Sequence, residues 1–408
     1  MSSQSDDGMP PPPPPKWARK RTDLEYQAEE NLRFAQKFNR FNDSLRSSKI
    51  NDDGFLALNL PYGGEIKIYV RESYKILHDL IHHQYAGKHI IISGNPGIGK
   101  SWFSLFELIM SLKNLSTSPY TAIVYENPNL GIKCVFNEDG YQSSDESVAL
   151  ALYSFCTLFL YDCSTNGKEP TLLSNAITIV YTSPRESNYK NFQKQKKPLK
   201  CLYMPTWTVD ELKKIAPVDM DVSDRFRVWG GIPRYILDED LDQAVLHRAV
   251  NAIKEVKIYE LAFKSGGDET IGHKIYHMDV SSDYTSYDTS FASEFILEYV
   301  MQKIEMSCYV HAVDFINTYA SGDACVGQLF EAISHGRLKK GGKFLTRKLG
   351  SEEEMPLTLK EPEFVLFEDL QNFQTKTNKP KYLLPKSKTF PSVDSIWVDG
   401  EDMVLHFK

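Results

Sequence analysis

Apolar positions in this chain fall into short runs bounded by turn-forming residues, and between the runs the spacing changes to that of a helix. Lys88-His89-Ile90-Ile91-Ile92-Ser93, Thr121-Ala122-Ile123-Val124-Tyr125-Glu126, Thr157-Leu158-Phe159-Leu160-Tyr161-Asp162 and Ala176-Ile177-Thr178-Ile179-Val180-Tyr181-Thr182 each read as a strand buried on both faces. Lys133-Cys134-Val135-Phe136 reads as a hairpin partner of the second. Ser101 to Met110 reads as a helix. The alternation predicts an α/β fold with a mainly parallel sheet. Upstream, Leu24, Ala28, Leu32, Phe34, Phe38 and Phe41 recur at helical spacing over 22–48, and Tyr69 to Tyr85 reads as the helix before the first core strand. Downstream, Leu241, Ala244, Val245, Ala249, Ile253, Val256 and Tyr259 predict a helix over 238–264. Ser281 to Thr289 reads as a polar loop, and Phe291–Val300 and Ala312–Tyr319 as short helices.

Between the first strand and its helix lies Gly94-Asn95-Pro96-Gly97-Ile98-Gly99-Lys100-Ser101, which fits G-x-x-x-x-G-K-[ST]. Glycines here let backbone N–H groups converge on phosphate oxygens. Lys100 is placed to reach the β- and γ-phosphates, and the Ser101 hydroxyl to bind Mg²⁺. The helix N-terminus favours an anion in the same place. The chemistry is that of a phosphate-binding loop, with ATP and Mg²⁺ as cofactors and Gly94 to Ser101 together with Trp102 as the nucleotide contacts.

Asp162 ends a core strand and is the candidate second magnesium group, acting through water; the alternative is an ordinary strand-ending Asp that opens the turn-rich run after it. Cys163 occupies the next position, where many such ATPases carry a Glu base, so the water-orienting base is unassigned. Thr182 and Ser183 end the next strand, where a polar group can sense a γ-phosphate. Arg185 is the candidate for transition-state charge stabilisation; a surface arginine in a Ser-Pro turn is the alternative. From Arg185 to Lys200 there are six Lys/Arg against one Glu, a basic loop that is either solvated or a nucleic-acid contact.

Composition narrows the classes. With 408 residues, 41% hydrophobic and 25% charged, the chain is long enough for two or three globular domains. No run of about 18 apolar residues exists to span a membrane, and no apolar h-region marks an ordinary secretory signal. The six cysteines form no C-x-x-C pair, which argues for reduced thiols and against a structural zinc of that type. A net charge of −7 confines any nucleic-acid binding to local basic patches. Residues 1–15, ending in the proline run Pro10–Pro15, read as a disordered spacer, and Lys16, Arg19, Lys20 and Arg21 as a basic cluster that is either simply solvated or a nuclear address.

Several motifs together resemble Crinkler effectors and the related retrotransposon-hot-spot proteins over about 85–260. They are Gly94–Ser101, Tyr161-Asp162, Thr182-Ser183-Pro184-Arg185, Met204-Pro205-Thr206-Trp207 with Glu211-Leu212, and Arg225-Phe226 with Trp229-Gly230-Gly231-Ile232-Pro233-Arg234. The resemblance implies a P-loop NTPase of the AAA/STAND type, with Gly231 and Pro233 against the adenine and Arg234 as a sensor of the γ-phosphate. It also implies a restriction-endonuclease-like region, carried by Gly327–Glu331, His335, Gly341–Phe344, Phe390–Asp394 and Met403–Lys408. There Glu331, Asp394 and Lys408 would form a second, metal-dependent site. His406 stands two before that lysine, and the region is expected to be truncated. Segment 337–388, with 12 Lys/Arg against 7 Asp/Glu, suits a phosphate backbone. By the resemblance the protein is secreted into a host cell and acts in its nucleus; otherwise it reads as cytoplasmic or nuclear.

The expected organisation is a leader over 1–21, a helical segment over 22–85, an NTPase core over 86–205, a helical extension over 206–265, a helical linker over 266–320 and the nuclease-like region over 321–408. The expected function is ATP binding and hydrolysis directed at DNA or host nuclear partners, with homo-oligomers open. A slow nucleotide-gated switch and an ATP-regulated DNA nuclease are the alternatives. His273 and His277, with Asp279 near, read as ordinary histidines rather than ligands.

Overall fold

The structure is a computed structural model that describes residues 16–163, 168–252, 274–303, 324–347, 353–367, 379–385, 395–398 and 404–407. The chain forms two compact units. One takes in the chain up to Val222 with Gly231–Leu237 and Val280–Tyr287; the other takes in Ser223–Gly230, Asp238–Asp279 and Asp288 onward.

The first unit begins with helix α1 (Lys16–Ser47) and a hairpin, β1 (Phe55–Leu60) and β2 (Gly64–Tyr69). Helix α2 (Glu72–Asp79) runs into a π-helical turn, Leu80–Gln84. Then follow β3 (His89–Ser93), α3 (Lys100–Lys113), β4 (Ala122–Asn127), β5 (Ile132–Asn137), β6 (Gly140–Gln142) and α4 (Asp145–Leu152). The unit continues with β7 (Thr157–Asp162), β8 (Ile177–Tyr181), α5 (Lys190–Gln195), β9 (Leu199–Tyr203) and α6 (Val209–Ile215). The short helix α8 (Pro233–Ile236) also belongs to it, after α7 (Val222–Trp229).

The sheet order is β6-β5-β4-β7-β8-β3-β9. Strands β4, β7, β8, β3 and β9 pair in parallel, and β5 and β6 extend the sheet antiparallel. Every residue of β3 and of β7 is buried, as continuous apolar runs require at the centre of a sheet covered on both faces. Ile91, Val124, Phe159 and Val180 share one core cluster, and α3 lays Phe103 and Phe106 on the other face, Phe103 edge-on to Tyr181 at 5.8 Å.

Three expectations need correction in this unit. Lys16 to Arg21 is helical rather than leader, while residues 1–15 lie outside the described ones. The segment 22–85 is not all helix: Leu56 and Leu58 alternate with exposed positions, as do Ile66 and Ile68, and the Pro61–Gly63 turn closes the hairpin. In the basic stretch 185–200, α5 buries Phe192, and β9 begins at Leu199 as an edge strand against β3. The strand carrying Asp162 does not adjoin the loop strand, because β8 lies between them. Helix α3 packs back over both β7 and β8, which carries the start of the helix across the intervening strand to the end of β7.

In the second unit, apart from Val280–Tyr287, which belong with the first, the expected helical linker over 266–320 instead contains a β-hairpin, β10 (Tyr276–Val280) with β11 (Tyr287–Phe291). Helices Ala244–Ala252 (α9), Glu294–Lys303 and Ala324–Lys340 also belong here. The hairpin β12 (Gly342–Arg347) and β13 (Glu354–Leu359) is followed by a four-stranded sheet of β14 (Glu363–Phe367), β15 (Lys381–Pro385), β16 (Ser395–Val398) and β17 (Val404–Phe407). Period-two alternation sends Tyr382 and Trp397 into one apolar cluster and Leu383 and Ile396 into another.

Candidate functional site

Glycine gives the β3–α3 loop its shape. Gly97 has φ 86°, and a Cβ there would fall 2.8 Å from Cβ of Arg234. At the end of the loop, Lys100 Nζ donates to Gly94 O at 2.8 Å and Asn95 O at 2.9 Å. Burial pulls the Lys100 ammonium down to about 7; the Asp162 carboxylate opposes that shift and the Arg234 guanidinium adds to it. The side chain of the next residue, Ser101, lies near Asp162 and favours its charged form.

Asp162 is buried at the end of β7, and burial pushes its carboxyl up to about 6 against the pull of Ser101 and Lys100. Asn127, at the end of the neighbouring β4, donates Nδ2 to Asp162 Oδ2 at 2.8 Å and stands 3.3 Å from the Tyr125 hydroxyl. That residue went unnoticed in the sequence; the signal is its place at the end of β4, one beyond the Glu126–Tyr161 pair. The Cys163 thiol is pushed up to about 12 by burial, so the position after Asp162 carries an uncharged group.

A second wall comes from the chain after β9. The Met204 amide donates to Ser93 O at 2.8 Å, and Trp207 Nε1 donates to Ile98 O at 2.8 Å, which ties the indole to the loop. The Trp207 amide donates to Gly231 O at 2.9 Å. A Cβ on Gly231 would fall 2.2 Å from Trp207 O, so this backbone approach requires glycine. Pro233 opens α8 and is buried, and the exposed Arg234 follows it onto Gly97. Arg71, 2% exposed, holds this wall from α2's N-cap. It pairs with Glu211 at 2.9 and 3.0 Å, donates to Pro205 O at 2.9 Å and Thr206 O at 2.8 Å, and stacks 4.6 Å over the Trp207 ring. No local sequence pattern marks Arg71.

The fold thus brings Gly97, Lys100, Ser101, Asp162 and Arg234 together. Ile98 is buried, its carbonyl accepting from Trp207, while Trp102 is exposed on the first turn of α3. Asn188 Nδ2 donates to Thr182 Oγ1 at 3.3 Å and Ser183 Oγ at 3.1 Å. Arg185 is exposed in the loop after β8, whereas the guanidinium acting on Lys100 is that of Arg234. In the second unit Glu331 is exposed and accepts from His335 at 3.3 Å, and His335 contacts the Tyr382 hydroxyl. Asp394 and Lys408 lie outside the described residues.

A glycine-rich loop at the head of a largely parallel sheet, with a buried carboxylate beside it, marks a mixed α/β chain. The chain is similar to Crinkler effector protein 16 of Phytophthora infestans, at 26% identity over 323 residues that cover 72% of this chain and 50% of that protein. Crinkler effector protein 15 of the same organism is likewise 26% identical, over 318 residues, 72% of this chain and 49% of its own. The chain spans about half the length of the curated relatives it matches. Among solved structures, the Thermotoga maritima RuvB Holliday junction branch migration motor aligns at 14% identity over 68% of this chain and 90% of that one, with a TM-score of 0.26. No family model matches. Among the described residues, no helix is long and apolar enough to cross a membrane.

Proposed function

We propose that this chain is a Crinkler-type, Mg²⁺-dependent nucleoside triphosphatase whose nucleotide sits on the Gly94–Ser101 loop, with ATP as the substrate. The observation that carries the reading is the convergence of Lys100, Ser101, Asp162 and Arg234 at the C-terminal ends of β3 and β7. An oxygen-rich donor pair, the Ser101 hydroxyl and the Asp162 carboxylate, fits a hard divalent ion. When bound there, Mg²⁺ neutralises charge on the phosphate oxygens. Lys100 leaves its two loop carbonyls for the phosphates, which restore the charge that burial suppresses. Arg234 faces the same oxygens from the opposite wall, and Asn127 holds the Asp162 carboxylate in place. Catalysis of this kind is positional and electrostatic.

A second reading is favoured by one observation. The position after Asp162 is a neutral thiol, so no base adjoins it there, and tight binding with slow turnover gives a nucleotide-gated switch. Phosphate release from Mg-ATP by the full chain, beside Lys100→Ala and with or without duplex DNA, separates the readings. Turnover lost in Lys100→Ala supports the triphosphatase, and stimulation by DNA makes DNA its partner. Lys100-dependent binding without turnover supports the switch. Nucleotide binding that is absent, or equal in Lys100→Ala, overturns both.

A further inference from the structure

Helix α3 buries one carboxylate among apolar and hydroxyl side chains. Glu107 is fully buried, and it has no part in the phosphate loop that precedes it. Its two oxygens face two imidazoles: His78 Nδ1 lies 2.9 Å from Oε2, and His82 Nε2 contacts Oε1. His78 lies in the last turn of α2 and His82 sits four residues on, in the π-helical turn, a widening that is often found at functional sites. The two rings stand 4.5 Å apart, and the three ligand atoms lie within 4.8 Å of one another.

We propose that His78, His82 and Glu107 form a binding site for a divalent cation of the zinc class, separate from the magnesium position at the phosphate loop. Three features carry it. The donor set is two imidazole nitrogens and one carboxylate, which suits zinc and is foreign to magnesium or calcium. Ligand atoms around a tetrahedral zinc stand about 3.3 Å apart, given legs of about 2.0–2.2 Å, so the His78–Glu107 contact, now 2.9 Å, needs to open by about 0.4 Å and the shorter His82–Glu107 contact by more. The outer shell and the entry path are also present. Ser111 Oγ donates to Glu107 Oε1 at 3.1 Å, orienting the carboxylate, while the His78 and His82 side chains keep 12% and 22% of their surface open to solvent. That open side leaves a fourth position for water. The ion would join α2 and its π turn to α3, about 9 Å along that helix from Ser101.

The test uses the full chain, stripped with chelator and kept reduced, titrated with Zn²⁺ alone and then with Co²⁺. Wild type is expected to bind one equivalent that raises its melting temperature, and the Co²⁺ spectrum is expected to lack a thiolate charge-transfer band. His82→Ala, at a partly exposed ring, is expected to fold and to lose that equivalent, with affinity down at least about 100-fold. Ser111→Ala is expected to keep the stoichiometry and weaken binding about tenfold. No zinc uptake by wild type, or equal uptake by folded His82→Ala, overturns the proposal and leaves the cluster as a hydrogen-bonded carboxylate. Lys100→Ala is expected to bind zinc like wild type, so failure of this site and failure of the nucleotide reading are told apart.

Discussion

Arg71 is the side chain whose removal tests the architecture of the wall beside the glycine-rich loop most directly. Arg71→Met keeps most of the volume and the apolar stem but deletes the guanidinium. The variant loses a bidentate pair with Glu211, hydrogen bonds to Pro205 O and Thr206 O, and the stack on Trp207. Removing one partner of a buried ion pair costs about 3–5 kcal/mol. Glu211 is 18% exposed and keeps its capping bond from the Thr208 amide, so it can rehydrate, and the lower end, about 3 kcal/mol, applies. Urea unfolding followed by far-UV circular dichroism measures the loss, and Arg71→Met with Glu211→Met closes a double-mutant cycle. A coupling of at least about 1.5 kcal/mol is expected, because the second substitution removes the carboxylate stranded by the first. Trp207 anchors Ile98 O, so nucleotide affinity is expected to fall in Arg71→Met as well. A loss below about 1 kcal/mol, or additive single substitutions, refutes the claim that this clamp holds the wall.

Two further outcomes follow from the buried groups around the loop. His89, at the start of β3, accepts from the Thr178 amide at 3.1 Å, and burial, aided by Lys196, lowers its pKa to about 4. The native state therefore binds fewer protons than the unfolded chain between about 4 and 6.5. The contribution is present above 6.5 and lost as pH falls to 4, about 3 kcal/mol in all. Urea midpoints across that window should show a shallower pH slope in His89→Gln, and an unchanged slope counts against the assignment. Asn127→Ala removes a hydrogen bond to a buried carboxylate, at a cost of about 1.5–3 kcal/mol. Its nucleotide affinity should respond less to Mg²⁺ than that of wild type, and identical Mg²⁺ titrations exclude a positioning role.

Much of the first unit was readable because its signals are local. Apolar runs buried on both faces marked β3, β4, β7 and β8 within a residue or two, and the helix after the loop follows from its periodicity. The misses share a cause as well. Strand β9 is an edge strand in a lysine-rich stretch, so its burial comes from one side only and its pattern is diluted. The β1–β2 hairpin follows a long helical pattern and its strands are short, although Ile66 and Ile68 alternate with Glu65 and Lys67. The hairpin over 276–291 is rich in Tyr and Ser, which read as loop until cross-strand pairing is considered.

What the sequence determined by itself is the loop and the carboxylate: glycines where the backbone turns, Lys100 and Ser101 at the helix start, and Asp162 closing an apolar strand. Those placements rest on interactions within a few residues, which spacing encodes. The tertiary structure alone decided that β8 separates Asp162 from the loop strand and that Asn127 holds Asp162. It also decided that Arg234 rather than Arg185 acts on Lys100, that Arg71 clamps Trp207, and that Glu107 meets two histidines. These contacts join residues 25 to 140 positions apart, and which of them form is settled by how the sheet and its covering helices pack.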